Sequence, residues 1–302
     1  HGGSIDDADY DNEEFEARHG TSIEDTEDSD DGDPISQHLS HGFYLIKGKM
    51  DHQMEDNLVA ETREVNGHEL GLYAIFDGHS GRYVAKYLQS HLFDKILSEP
   101  NFWTNPKHSI KTAYEVTDDE ILGRVGSRGG STAVTAILID RETLIVANVG
   151  DSRAILCRNG VVKQITIDHE PTKEKQLVES RGGFVSEKPV KRSICIIMNT
   201  GFGCVQNEGF SSGVWVNQCS SFKTGLPRFT KVDSTLFELF RTTVNVCLKY
   251  NYLDKVMSNQ EAFDCIGELN DAQKASEKLI EEVLCRKSYD DISCIVVMLR
   301  QR

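Results

Sequence analysis

No run of eighteen or more apolar residues occurs in these 302 residues, so no segment reads as a membrane-spanning helix. Basic stripes are missing too. Against 48 acids stand 33 Lys and Arg, and most of that imbalance lies in one place. Residues 1–33 hold 14 acids and a single base, Arg18, whereas the rest of the chain is almost neutral. Such a segment is repelled by phosphate backbones and anionic lipid alike, so neither nucleic acid nor membrane is an expected partner. The eight cysteines form no C-x-x-C and keep no regular spacing, and several sit in apolar runs such as that around Cys294. That is the pattern of buried free thiols in a reducing compartment, not of a disulfide framework or zinc knuckle. No stretch reads as a charged-then-apolar targeting segment. The expected setting is cytoplasmic or nuclear, with the chain acting as a monomer.

What is present suits a folded body. Hydrophobic residues make up 38% of the chain and charged ones 27%, which excludes bulk disorder. Residues 1–40 lack apolar periodicity and read as a disordered acidic leader; residues 41–302 read as one folded domain. Order is expected from Gly42, with a strand at Phe43–Ile46. Leu70–Phe76 reads as a strand running into an Asp77-Gly78 turn. Val84, Leu88, Leu92 and Ile96 recur every four residues and predict an amphipathic helix to Leu97, with a second over about Ser109–Leu122. Ser131–Asp140 and Thr143–Val149 follow as strands. Ala154–Arg158 and Val161–Thr166 flank Asn159-Gly160, a two-residue hairpin signal. Residues 172–181 predict a short helix stopped by Gly182-Gly183. Ser258-Asn259-Gln260-Glu261 is a capping box opening a helix through Leu269. Asp271–Arg286 is a further helix, and Ile292–Leu299 a closing strand. Runs of adjacent strands with helices at either end indicate an α+β fold built on antiparallel sheets.

Residues 190–252 fit this scheme poorly. They carry only 10 charged residues in 63, seven of them basic, with four cysteines and no sustained helix or strand period. They read as an aberrant or divergent segment.

The acids that stand out are Glu55 and Asp56 after Met54, Asp77 before Gly78-His79-Ser80-Gly81, Asp151 in Gly150-Asp151-Ser152-Arg153, and Asp290-Asp291. Singly, each has a bland reading as a turn, cap or solvated patch. Together they are more telling, because Asp77 and Asp290 lie at ends of predicted strands and Glu55 within one. Strand ends of one sandwich can converge on a single rim. Carboxylates facing one another there repel unless cations lie between them, and oxygen-only ligands suit Mg²⁺ or Mn²⁺.

These residues sit in stretches that resemble the metal-dependent serine/threonine protein phosphatases of type 2C, particularly the plant members. The matching stretches are Gly48–Asp56, Ile75–Gly81 (I-F-D-G-H-S-G), Gly130–Ala133, Val146–Leu156, Asp168–Pro171, Ser180–Val185 and Asp290–Val297 (D-D-I-S-C-I-V-V). The likeness covers about 42–189 and 253–300. It implies two antiparallel β-sheets packed as a sandwich and flanked by helices, partly incomplete across 190–252. It also implies hydrolysis of phosphoserine and phosphothreonine by direct attack of a metal-bound water, with two ions, Mg²⁺ or Mn²⁺, and phosphorylated proteins as substrates. Asp77 would bridge the ions, with Glu55 and the Gly78 carbonyl on one and Asp290 on the other. Asp56 would hold ligand waters, His79 would protonate the leaving oxygen, and Asp151 would belong to a third metal. Ser80 is then a turn residue and not a nucleophile, and His52, His68 and His169 are surface or hydrogen-bonded residues. The Gly130–Ala133 run supports the strand beneath the metals.

The resemblance breaks in three places. Asp51 stands where the family often has a phosphate-binding Arg, which leaves phosphate to Lys49 or Lys47. An arginine-bearing block expected after Val185 is replaced by residues 190–252. The Asp of a metal-binding Ser-Asp-Gly is Asn251 by ungapped alignment, with Tyr252 at the Gly, and an amide is the weaker ligand for a hard dication. The alternative reading is therefore a catalytically impaired relative acting as a phosphoprotein-binding or regulatory module.

Overall fold

The computed structural model describes residues 18–23, 37–125, 129–158, 160–169, 176, 183–187, 194–198, 228–232, 244–249 and 257–301. In chain order, β1 (Arg18–Ile23), β2 (Gln37–Ile46), β3 (Asn57–Val65), β4 (His68–Phe76) and β5 (Gly78–His79) precede α1 (Tyr83–Ser98) and α2 (Pro106–Val125). Then come β6 (Gly130–Ser131), β7 (Ala133–Ile139), β8 (Thr143–Val149), β9 (Arg153–Arg158), β10 (Val161–Gln164), β11 (Gly183–Glu187), β12 (Ile194–Met198), β13 (Arg228–Val232) and β14 (Val244–Lys249). The chain closes with α3 (Asn259–Ile266), α4 (Ala272–Cys285) and β15 (Ile292–Gln301).

The strands form a six-stranded sheet in the order β1-β2-β15-β14-β9-β10 and a five-stranded sheet in the order β13-β8-β7-β4-β3, antiparallel throughout. Alternation along the strands explains how they stack. In β4, Tyr73 and Ile75 join an inner core with Leu45, Val134, Val146, Ile295 and Val297, while Leu72, Ala74 and Phe76 meet Val84, Leu88, Leu92 and Ile96 of α1. In β15, Ile295, Val297 and Leu299 face the inner core, while Cys294, Val296 and Met298 pack on Ala275, Leu279 and Val283 of α4. Strands covered on both faces need apolar residues at every position, which is why these two read as unbroken runs. Each fully buried Leu or Ile contributes about 1.5–3 kcal/mol. The fold is α+β, a β-sandwich flanked by helices.

Local chemistry sets the helix ends. Pro100 forces Glu99 out of the helical region, to φ −64° and ψ 126°, so α1 stops there. The helix expected at Ser109 begins at Pro106, where a missing N–H costs nothing, and Asn105 Oδ1 accepts from His108 N at 3.3 Å. The capping box of α3 forms as read: Ser258 Oγ accepts from Glu261 N and Glu261 Oε2 accepts from Ser258 N. Asp271 caps α4 through Lys274 N at 3.0 Å. The strands on either side of the Asn159-Gly160 signal, β9 and β10, pair antiparallel as expected.

Several expectations are corrected. The strand expected at Phe43 begins earlier, at Gln37, and β1 at Arg18–Ile23 lies inside the segment expected to be disordered. Glu55 lies in the loop before β3, not in a strand. Part of the segment 190–252 is integral: β14 is central in its sheet, with Val246 opposite both Val297 and Leu156. The expected helix at 172–181 lies outside the described residues. Among the described residues, Cys157, Cys265, Cys285 and Cys294 are free thiols, though Cys285 is exposed and Cys265 half-buried. No described helix is long and apolar enough to cross a membrane.

Candidate active site

Strand pairing brings the candidate acids to one rim of the sandwich. Asn57 pairs with Phe76, so Asp56 and Asp77 adjoin at the ends of β3 and β4. Ile292 pairs with Ile46, which sets Asp290 and Asp291 beside the loop leaving β2. Lys49 N donates to Tyr289 O at 2.7 Å, Gly48 N to Asp291 Oδ1 at 2.8 Å and Glu55 N to Asp291 Oδ2 at 3.0 Å. The loop that carries Glu55 is thus pinned at both ends to the turn before β15. Its approach is close: a Cβ at Gly48 would lie 2.3 Å from the Asp290 backbone, and one at Gly78 would lie 2.4 Å from Glu55 O. Only glycine fits at either position.

Asp77 is braced from below. Its N–H donates to Thr132 Oγ1 at 3.2 Å, its carbonyl accepts from Thr132 N at 2.9 Å, and Thr132 Oγ1 meets Ser152 Oγ at 2.7 Å. The Gly130–Ala133 run supports the strand end in this way. His79 follows Asp77 by two residues and is held where β5 pairs with β6, opposite Gly130. Ser80 occupies the left-handed region at φ 59°, as a turn residue, and Gly81 N donates to Glu55 Oε1 at 2.7 Å. Asp151 sits in the turn between β8 and β9.

The electrostatics are those of crowded anions. Burial first, with the Asp291 and Asp290 charges adding to it, raises Asp56 to about 8 against the opposing pull of the Ser293 hydroxyl and the neighbouring Asp77 carboxyl. Burial likewise raises Glu55; Asp291 and Asp290 add to this, while Gly81 N–H and His52 oppose it. Asp56 is 3% exposed, and its Oδ1 has no hydrogen-bond partner. Among the described residues no three His, Cys, Asp or Glu side chains form a ligand cluster by themselves. A cation here would take one or two carboxylates, a carbonyl and waters, which is how Mg²⁺ is ordinarily held. An unpartnered buried carboxylate oxygen beside four other acids fits that demand.

The remaining candidates are distributed as follows. Lys49 is exposed, its ammonium 5.7 Å from the centroid of the Tyr289 ring, and Lys47 and Asp51 are exposed on the same loop. Asn251 lies outside the described residues; β14 ends at Lys249, which pairs with Arg153 and Cys294 at the edge that carries Asp151 and Asp290. His52 contacts Gln53 O, His68 contacts Asp140 and stacks on Trp103, and His169 is hydrogen-bonded to Gly150. Sequence reasoning missed Ser293, whose hydroxyl donates to Asp56 Oδ2 at 2.6 Å, and the two-handed role of Asp291. Ser293 shares the inward parity of Ile295 and Val297, but its partner stands 237 residues away.

The profile of the family described as Protein phosphatase 2C matches residues 47–198. A probable protein phosphatase 2C 28 of Arabidopsis thaliana is 51% identical over 267 residues, covering 87% of this chain and 74% of that protein. A probable protein phosphatase 2C 62 of Oryza sativa subsp. japonica is 46% identical over 265 residues, covering 86% of each. Among solved structures, the serine-threonine phosphatase 2C of Toxoplasma gondii aligns with a TM-score of 0.69 at 16% identity, over 94% of this chain and 99% of that one. The serine/threonine phosphatase PstP/Ppp of Mycobacterium tuberculosis aligns with a TM-score of 0.56, also at 16% identity, over 87% of this chain and 99% of that one. At such identities the likeness speaks for the fold alone; the plant relatives speak for descent. The chain belongs to the protein phosphatase 2C family.

Proposed function

We propose that this chain is a metal-dependent protein serine/threonine phosphatase using two ions, Mg²⁺ or Mn²⁺, on phosphoserine and phosphothreonine. The observation that carries the reading is the buried, partly unpartnered Asp56 among Glu55, Asp77, Asp290 and Asp291. Anions gathered out of water repel unless a cation compensates them. Glu55, Asp77 and the Gly78 carbonyl would hold one ion, and Asp77, Asp290 and Asn251 the other, with Asp151 near a third. When bound, two divalent ions acidify a water and neutralise charge on the transferred phosphoryl oxygens.

The chain's own groups do the rest. Asp56 accepts hydrogen bonds from ligand waters, which suits an oxygen with no protein donor. His79 gives its proton to the departing seryl or threonyl oxygen. Lys49, steadied by Tyr289, draws the phosphate in from the rim. Its substrates are phosphorylated proteins, met as a monomer in the cytoplasm or nucleus, without nucleic acid or membrane.

An exposed Asp51 beside the phosphate path favours a second reading, a relative that binds phosphoproteins and turns them over weakly. Release of phosphate from a phosphothreonine peptide separates the two. The first reading expects release that requires Mg²⁺ or Mn²⁺, stops in EDTA and rises in Asn251→Asp. Peptide binding with no metal-dependent release would favour the second.

A further inference from the structure

Asp291 is buried, only 2% exposed, in a cluster already overloaded with negative charge. Its charge raises both Glu55 and Asp56, so on electrostatic grounds a neutral residue would serve the cluster better. Hydrogen bonding supplies the reason for an acid. Oδ1 accepts from Gly48 N at 2.8 Å, and Oδ2 accepts from Glu55 N at 3.0 Å. These N–H groups stand at the two ends of the loop between β2 and β3, too far apart in sequence to share a turn. A carboxylate offers an acceptor to each. An asparagine offers one oxygen and turns its amide donors toward the other N–H. The Asp291 N–H in turn donates to Asp290 Oδ1 at 3.0 Å. One residue thus holds Glu55 through its side chain and Asp290 through its backbone.

We infer that Asp291 is a positioning residue, a clamp that closes the 48–55 loop and fixes Glu55 relative to Asp290 for metal binding. The inference rests on the metal-dependent reading for its purpose, though not for the clamp itself. Asp291 touches no substrate. It sets the distance between acids on opposite sides of the rim, and it does so before any ion arrives.

The test compares Asp291→Asn and Asp291→Ala with the wild-type full chain. Both variants remove the same charge, but Asn keeps one acceptor and Ala keeps none. Hydrogen exchange of the backbone amides at 47–56, measured in EDTA, reads the clamp without metal. Calorimetric titration with Mn²⁺ reads its purpose. Exchange is expected to be fastest in Asp291→Ala and intermediate in Asp291→Asn. Mn²⁺ affinity should fall in the same order, by about tenfold or more for Ala, as when partners that orient metal ligands are removed. Three results would overturn the inference: unchanged exchange, faster exchange with unchanged Mn²⁺ affinity, or equal losses in the two variants, which would leave charge as the whole effect. If Asp291→Ala does not fold, Asp291→Asn against wild type still decides, because loss of one acceptor must quicken exchange at Gly48 or Glu55. A wild-type chain that holds no Mn²⁺ would overturn the metal reading and the purpose of the clamp, while exchange would still report whether the loop is clamped.

Discussion

The hydroxyl of Ser293, the second residue of β15, donates to Asp56 Oδ2 at 2.6 Å and so ties one sheet of the sandwich to the rim of the other. Both residues are buried, and Asp56 Oδ1 has no hydrogen-bond partner. Removing the hydroxyl leaves the carboxylate with less to hold it. Ser293→Ala should destabilise the metal-free chain by about 1–3 kcal/mol, the cost of a lost hydrogen bond to a buried acid. Urea unfolding in EDTA measures it, and an unchanged midpoint would deny the bond any weight.

Asp56 also sets a pH dependence. Its folded value, about 8, lies above the ordinary 3.8, so the folded chain binds this proton more tightly than the unfolded chain does. Stability from this group is complete below about pH 4 and is lost as pH rises toward about 8. His41, lowered by burial despite donating a hydrogen bond to the Ala60 backbone, acts oppositely and costs stability as pH falls below 6.5. The comparison to make is therefore between wild type and Asp56→Asn. Without metal, the variant should gain on wild type steadily from pH 5 to pH 8. Parallel stability curves would place the Asp56 proton elsewhere.

Two glycines should respond in opposite directions. Gly48→Ala puts a Cβ 2.3 Å from the Asp290 backbone, so the loop or the turn must move. A loss of about 1–3 kcal/mol and weaker Mn²⁺ binding are expected. Gly123, inside α2, has open space for a Cβ, with nothing within 4 Å of where it would stand, and no unusual φ. Gly123→Ala should stabilise by about 0.5–1 kcal/mol through helix propensity alone. Thermal unfolding of the pair checks both signs.

Much of the architecture could be read from local pattern. Val84 through Ile96, the Ser258–Glu261 box and the Asn159-Gly160 turn each act within a few residues, and each was legible. The acids at strand ends were legible as a group. Their supports were not, because Asp291 and Ser293 act on Gly48, Glu55 and Asp56 across more than 230 residues of chain. Register alone brings them together, and register is a property of the paired sheets. β14 differs: Val244, Val246 and Leu248 alternate with Asn245, Cys247 and Lys249, a six-residue strand signal too short to stand out in a segment with no sustained period, and its place between β9 and β15 is set by pairing on both sides.

The central claim is that Asp77 belongs to both ion sites. Calorimetric titration of Mn²⁺ into wild type and Asp77→Asn tests it most directly. The account predicts two events in wild type, one much weaker under the proposal that Asn251 stands in for a carboxylate, and neither event in Asp77→Asn. The variant's circular dichroism in EDTA should be nearly unchanged, since removing one of several crowded charges costs the fold little. Wild-type Mn²⁺ binding by Asp77→Asn would contradict the account.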